Sequence, residues 1–175
     1  IILMNYFRKI SFLILNGSFL ISVNQIMAMQ EPRDLYDFTH QETSGVWMIV
    51  NDGVMRGISE SRLSLDQQGF LVFEGRVSLD YGGGFASVRS ILNRLDAVPY
   101  DGILIRFKGD GKRYQLRLRQ GERMDGVAYF RHFETKIGEW EEVFLPFHSF
   151  QASYRGRRLP DYPKLDTTRI SQLGL

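Results

Sequence analysis

Short stretches in which apolar and polar residues alternate follow one another along most of the chain, and turn-forming residues separate them. Clear examples are residues 62–65, 103–107 and 114–118, because strict alternation is typical of a strand with one buried face. Residues 91–96 resemble a short helix, and residues 148–164, rich in Arg and Pro, predict an extended loop. With about nine strand-like stretches and almost no helical period, the pattern predicts an all-β sandwich of two sheets.

One stretch, residues 47–59, combines a strand with an unusual loop. Its apolar start predicts a strand that ends at an Asn-Asp-Gly turn, because these residues accept left-handed backbone and bond nearby backbone groups. We expect a structured loop at the rim of a sheet that displays Asp52, Met55, Arg56 and Ser59. The expected roles are structural, with Asp52 and Ser59 bonding loop backbone and Trp47 buried between the sheets. Contact with a ligand or partner is the alternative role.

Three consecutive glycines at residues 82–84 have the composition of a phosphate-binding loop. The lysine and Ser/Thr that end such a loop are missing, and a strand rather than a helix is expected to follow. We therefore expect a place where two chain segments pack closely.

Residues 102–119 predict a β-hairpin that turns at the Gly-Asp-Gly of residues 109–111. Its apolar positions would face the core, and its other face would carry a run of basic side chains. Such a face needs acidic neighbours, solvent or an anionic ligand. The basic residues concerned are Arg106, Lys108, Arg113, Arg117 and Arg119.

Residues 1–28 have the features of a secretory signal or an N-terminal anchor. A basic pair precedes an apolar run over residues 10–23, and no acidic residue occurs before Glu31. Polar residues within the run disfavour a stable membrane span. We expect cleavage after Ala28 and a folded domain over residues 31–175. An organelle-targeting peptide is the alternative, which the small number of basic residues disfavours.

The balance of charge limits the classes of partner. The chain has 22 basic and 20 acidic residues, whereas residues 1–28 hold two basic residues and no acidic one. The predicted domain is therefore neutral, and its net charge gives no support for nucleic-acid binding. Cysteine is absent, which excludes disulfides, thiolate metal sites and cysteine nucleophiles.

No set of residues predicts catalysis, a cofactor or a metal site. His40, His132 and His148 are far apart and lack a metal-ligand spacing. The Gly-x-Ser-x-Gly pattern of a nucleophile elbow does not occur. Glu141 and Glu142 are adjacent, so on a strand they point to opposite faces and cannot act as a catalytic pair. We therefore expect a protein without enzymatic activity.

Several stretches, taken in order, resemble a known family. They are W-x-x-V-N-D-G-V-M-x-G-x-S at 47–59, G-G-F-A-S-V-R at 83–89, G-D-G-x-x-Y at 109–114, G-E-W at 138–140 and L-P-F at 145–147, with Phe150 and R-G-R at 155–157 following. The ordered set is similar to the NADH:ubiquinone oxidoreductase complex I intermediate-associated protein 30 family, a complex I assembly-factor domain. The similarity runs from about residue 35 to the last residue.

The resemblance implies a fold that agrees with the strand pattern, namely a galactose-binding-like jelly-roll β-sandwich. Because the family's domain continues with a further strand, we expect this chain to lack its last strand or strands. One sheet edge would then be left unpaired.

The resemblance also implies a function, that of a non-catalytic assembly-chaperone-type module whose partner is a protein, with respiratory-complex subunits as candidates. The fold is shared with carbohydrate-binding modules, so an envelope module that binds a glycan is the alternative. We expect an exported, periplasmic or envelope location if the leader is a signal peptide, and otherwise the cytoplasm or the mitochondrial matrix. The residues predicted to contact a partner or ligand are Trp47, Asp52, Ser59, Arg89, Arg106, Asp110 and Arg117.

Overall fold

The computed structural model describes residues 2–8, 34–36, 47–121, 123 and 125–175. The described residues form β-strands joined by loops and by short 3₁₀ turns, so the all-β prediction is confirmed. The strands are β1 (Ile2–Arg8), β2 (Asp34–Tyr36), β3 (Trp47–Asn51), β4 (Glu60–Leu65), β5 (Leu71–Arg76), β6 (Ala86–Leu95), β7 (Gly102–Lys108), β8 (Arg113–Gln120), β9 (Ala128–Glu134), β10 (Trp140–Pro146), β11 (Gln151–Tyr154), β12 (Arg157–Arg158) and β13 (Ile170–Gly174). The 3₁₀ turns are Asp52–Met55, Asp80–Gly82, Phe147–Ser149 and Thr167–Arg169.

The described strands form two antiparallel sheets that pack face to face. The six-stranded sheet has the order β10-β7-β1-β5-β4, with β2 paired to β1. The seven-stranded sheet has the order β12-β11-β9-β8-β13-β6-β3. The predicted two-sheet sandwich is therefore confirmed.

Side chains from both sheets fill the space between them and form one hydrophobic core. Ile103, Ile105 and Phe107 of β7 are each at most 1% exposed. Leu116 and Leu118 of β8 belong to the same cluster and are equally buried. These residues occupy every second position of their strands, so the alternation in the sequence is the alternation that builds the core.

The hairpin predicted for residues 102–119 is wrong in its pairing. β7 pairs with β1 and β10, whereas β8 pairs with β9 and β13 in the other sheet. The turn at residues 109–111 therefore carries the chain from one sheet to the other. As a result the predicted basic face is divided, with Arg106 on the outer side of the six-stranded sheet and Arg117 and Arg119 on the outer side of the seven-stranded sheet.

Two further local predictions are wrong for a common reason. Residues 91–96, predicted as a short helix, fall largely within β6, which pairs with β3 on one side and β13 on the other. Residues 148–164, predicted as a loop, contain β11 and β12. In both cases neighbouring strands supply ladder hydrogen bonds, and this tertiary context outweighs weak local preferences.

β1 lies within the segment for which a leader is predicted. It pairs with β7 along its whole length and with β5 at Ile2 and Leu3. The apolar run of residues 10–23 and the predicted cleavage site lie outside the described residues. Within the part of the chain that the structure describes, no helix has the length and hydrophobicity needed to cross a bilayer.

Candidate functional site

A buried carboxylate organises the loop that follows β3. Asp52 opens the first 3₁₀ turn and is fully buried. It accepts hydrogen bonds from the backbone N–H groups of Ser59 (2.9 Å), Gly84 (2.7 Å) and Phe85 (3.3 Å). The hydroxyl of Ser59 donates a further hydrogen bond to the same carboxylate. Asp52 therefore ties its own loop to the loop that precedes β6.

These hydrogen bonds also fix the charge of Asp52. Burial by itself raises the pKa of the carboxyl, but the hydrogen bonds from Ser59, Gly84 and Phe85 outweigh burial and hold the pKa at about 2. The group is ionised at neutral pH. Oδ2 accepts three of these hydrogen bonds and Oδ1 accepts one, so the geometry of Asp52 is that of a scaffold.

Two glycines make room for this carboxylate. A Cβ atom at Gly57 would lie 2.3 Å from Cγ of Asp52, and a Cβ atom at Gly83 would lie 2.6 Å from its Oδ2. Both distances are too short for any other residue type without movement of the loop. The close approach predicted for the triple-glycine stretch is therefore present.

Trp47, the first residue of β3, packs between the sheets. Its ring centroid lies 5.0 Å from that of Tyr36 in a tilted arrangement. The hydroxyl of Tyr36 in turn donates a 2.6 Å hydrogen bond to Oγ of Ser90. Trp47 is half-buried against the core, and its indole contributes to packing at this end of the sandwich.

Three arginines come together on the outer side of the seven-stranded sheet, and we call Arg89, Arg117 and Arg119 the arginine face. Arg89 lies on β6 and the other two lie on β8, with β13 between these strands. Gly174 of β13 is opposite Arg89 on one side and Arg117 on the other, so no side chain separates them. A Cβ atom at Gly174 would lie 3.3 Å from Cγ of Arg89, which places the Arg89 side chain beside the glycine.

Hydrogen bonds hold two of these guanidinium groups in place. Nε and Nη2 of Arg117 donate to Oε1 of Gln115 at 3.0 and 2.7 Å. Nε of Arg119 donates to the carbonyl oxygen of Gly126 at 3.4 Å. Burial lowers the pKa of all three arginines, and the charge of Arg89 lowers the pKa of the other two further. The pKa of Arg119 falls to about 10, so the face remains cationic at neutral pH.

The arginine face has no ion-pair partner among the described residues, although the charge of Asp125 raises the pKa of Arg119. Within the described part of the chain, no carboxylate lies within 4.0 Å of any of its three guanidinium groups. The residues opposite them on the outer neighbouring strands are Met48, Phe130 and Ala128. Three positive charges therefore share a partly buried surface without an ion-pair partner among the described residues.

The other predicted site residues lie elsewhere. Arg106, on the six-stranded sheet, stacks over the ring of Trp140 at 5.2 Å. Asp110, in the turn between the sheets, accepts hydrogen bonds from Nζ of Lys112 at 2.8 Å and the hydroxyl of Tyr114 at 3.0 Å. The structure thus joins Asp52 with Ser59 and Arg89 with Arg117, and it does not bring the seven predicted residues into one site.

Three residues that shape the arginine face were not among the predicted site residues, although Arg119 was predicted to lie on the basic face. Arg119 and Gln115 lie two residues on either side of Arg117 on β8, and this spacing was the available signal. Arg158 borders the face, because its guanidinium lies 5.8 Å from the ring of Phe130. It belongs to β12, in a segment that was predicted to be a loop.

A separate cleft of about 380 Å³ lies beyond the ends of β8 and β9. Tyr129, Tyr154 and Tyr162 line it, together with Arg169. Tyr154 and Tyr162 are 37% and 44% exposed. Among the described residues, no group of three His, Asp or Glu side chains is placed to hold a metal ion.

Comparison with known proteins matches most of the chain to one family. The family model of complex I intermediate-associated protein 30 matches residues 36–175. A mouse (Mus musculus) relative, "Complex I intermediate-associated protein 30, mitochondrial", is 23% identical over 176 residues, which cover 86% of this chain and 52% of the relative. The chain therefore spans about half the length of the curated relative that it matches.

Two solved structures share the fold. One is the family 11 carbohydrate-binding module of cellulosomal cellulase Lic26A-Cel5E of Clostridium thermocellum, with a TM-score of 0.60, 17% identity, and coverage of 80% of this chain and 81% of that chain. The other is the family 11 module from Clostridium thermocellum in complex with a β-1,3-1,4-mixed-linked tetrasaccharide, with a TM-score of 0.56, 16% identity, and coverage of 75% and 79%. These likenesses establish the galactose-binding-like jelly-roll fold, and at these identities they establish the fold alone.

Proposed function

This chain belongs to the complex I intermediate-associated protein 30 family, and from that membership we propose that it is a non-catalytic assembly module for respiratory complex I. The family match over residues 36–175 is the observation that carries the proposal. The mouse relative bears the same family name. A module of this kind works by holding a partner protein during assembly and needs no reacting groups.

The organisation of the surface supports a binding role. Asp52 is buried and accepts four hydrogen bonds from the neighbouring loops, so it gives the rim of the sandwich a fixed shape. Arg89 and Arg117, by contrast, have donors that the described residues leave unused. Preformed loops with charged side chains on a rigid sheet are the usual basis of recognition.

We place the site of action in mitochondria, because the mouse relative is a mitochondrial protein by name. The predicted leader over residues 1–28 stays a prediction. Cleavage after Ala28 would remove β1, which lies between β7 and β5. N-terminal sequencing of the protein isolated from its own cells tests this: a start at residue 29 supports cleavage, and an intact N-terminus excludes it.

Deletion of the gene is the direct test of the assembly role. Membranes from the deletion strain are separated on native gels and stained for NADH dehydrogenase activity. We expect mature complex I to fall and smaller subcomplexes to accumulate, with restoration by the wild-type gene. Normal levels of mature complex I in the deletion strain would refute the proposal.

Glycan binding is a second candidate, which the tyrosine-lined cleft favours. Exposed tyrosine rings such as Tyr154 and Tyr162 can stack on the faces of sugar rings, as aromatic side chains do at amphipathic binding surfaces. A glycan array probed with the whole protein tests it. Binding that Tyr154→Ala and Tyr162→Ala abolish would support this candidate, and silence across the array would remove it.

A further inference from the structure

The arginine face has a spacing that suits more than one anionic group. Arg89 and Arg117 are separated by β13, so their Cα atoms are about 9.6 Å apart, which is two strand spacings. Arg117 and Arg119 lie two residues apart on β8, about 6.8 Å along the strand. Two carboxylates of one segment can therefore meet Arg89 and Arg117 separately.

The charge of this face is only partly balanced within the described structure, by Asp125, which raises the pKa of Arg119 but forms no ion pair with it. Placing charge in a partly buried site is unfavourable unless an opposite charge or hydrogen bonds compensate it. Gln115 and Gly126 supply hydrogen-bond acceptors to Arg117 and Arg119, but both acceptors are neutral. The guanidinium of Arg89 makes no hydrogen bond to another described side chain or backbone group. An anionic ligand would therefore relieve repulsion that the fold itself leaves in place.

The donors are arranged for carboxylates. Each guanidinium has five N–H groups in a planar fork that matches the two oxygens of a carboxylate. Gln115 fixes one side of the Arg117 fork through Nε and Nη2, which leaves the Nη1 side for a ligand. Because the fork is already oriented, little conformational freedom is lost when a carboxylate binds.

We propose that the arginine face binds an acidic segment of the partner protein through Arg89 and Arg117. Arg119 is only 6% exposed, so the guanidinium groups that the segment can reach are those of Arg89 and Arg117, on either side of β13. The proposal rests on the proposed function, since the segment belongs to the protein that is being assembled. Carboxylates are the groups of a protein chain that planar guanidinium forks bind through two parallel hydrogen bonds.

Binding of a synthetic peptide tests the proposal with the full chain. The probe is a fluorescein-labelled (Glu-Ser)₄ peptide, and the matched neutral probe is (Gln-Ser)₄, with anisotropy measured at 50 and 200 mM salt. We expect the acidic peptide to bind, the neutral peptide not to bind, and affinity to fall with salt. Absence of binding by the acidic peptide at 50 mM salt overturns the proposal.

Variants assign the binding to this face. We expect Arg89→Met and Arg117→Met each to weaken binding about tenfold. Arg117→Lys keeps the charge but loses the planar fork, so we expect a loss close to that of Arg117→Met. Arg76→Met, an equal change of charge on the exposed end of β5 in the other sheet, serves as control and should leave binding unchanged. Equal loss in all variants, including the control, indicates general electrostatic attraction and overturns the proposal.

Two further comparisons distinguish an acidic protein segment from an anionic glycan, and the acidic site from the assembly role. Binding of an oligogalacturonate without binding of the acidic peptide would identify an anionic glycan and overturn the proposal. Arginine-dependent peptide binding combined with normal complex I in the deletion strain would leave the acidic site standing and remove the assembly role. Defective assembly without peptide binding would support the assembly role and overturn the acidic site.

Discussion

Arg89→Met should stabilise the protein, although most substitutions of a half-buried residue destabilise it. The substitution keeps an unbranched apolar stem of similar length beside Gly174 and removes one of three like charges. Because the guanidinium of Arg89 makes no hydrogen bond to another described residue, no partner is left unsatisfied. The free energy of unfolding should therefore rise.

The magnitude follows from the register of the sheet. At a separation of about 9.6 Å and an effective dielectric constant of about 20, two unit charges repel by roughly 1.7 kcal/mol. Side chains can splay apart and salt screens the charges, so we expect a gain of about 1 kcal/mol in low salt. At high ionic strength the gain should shrink to below about 0.5 kcal/mol, because the Debye length is then shorter than the separation.

Urea denaturation followed by tryptophan fluorescence, at 20 and 500 mM salt, measures this effect. Arg76→Met is the control, and its free energy of unfolding should change by no more than about 0.5 kcal/mol at either salt concentration. If Arg89→Met lowers the free energy of unfolding at low salt, or raises it equally at both salt concentrations, the reasoning about uncompensated charge is refuted.

Three further substitutions test the scaffold and the core. Hydrogen bonds hold the folded pKa of Asp52 at about 2, so its ionised form stabilises the protein above about pH 4 and this contribution is lost as the pH falls towards 2. Asp52→Asn should remove the contribution. Melting temperatures of this variant from pH 2 to 7 should therefore depend less on pH than those of the wild type. Gly57→Ala should lower the melting temperature because its Cβ atom would meet Asp52, whereas Gly53→Ala, with no atom within 4 Å, should change it little. Leu118→Ala should cost about 3 kcal/mol in urea unfolding, since the side chain is fully buried; a cost below about 1 kcal/mol would contradict its assignment to the core.

The strand content and the core could be predicted because alternation is a local property. Ile105 and Leu116 each show which side of their strand is buried, whichever sheet the strand joins. The same property explains the wrong hairpin. β7 and β8 face one core from opposite sheets, and a Gly-Asp-Gly turn suits a crossing between sheets as well as a return within one sheet. Only the pairing of β7 and β8 with distant strands distinguishes a crossing from a return, and residues 102–119 alone do not predict that pairing.

The candidate site was predictable in parts for the same reason. The Asn-Asp-Gly turn of Asp52 is a local signal, whereas its donor Gly84 lies 32 residues away and becomes a neighbour only when β3 pairs with β6. Arg117 and Arg119 share a face because they are two residues apart on one strand. Arg89 lies beside them because β13 pairs with both β6 and β8. No local sequence pattern predicts the register of these pairings.

The central claim is that the arginine face contacts a protein during assembly of complex I. Affinity purification from detergent-solubilised membranes of the source cells, with the wild type, the double variant Arg89→Met/Arg117→Met and the control Arg76→Met, tests it most directly. We predict that complex I subunits are recovered with the wild type and the control and are lost with the double variant, which remains folded by near-UV circular dichroism. Equal recovery with all three proteins, or no complex I subunit with the wild type, would contradict the account.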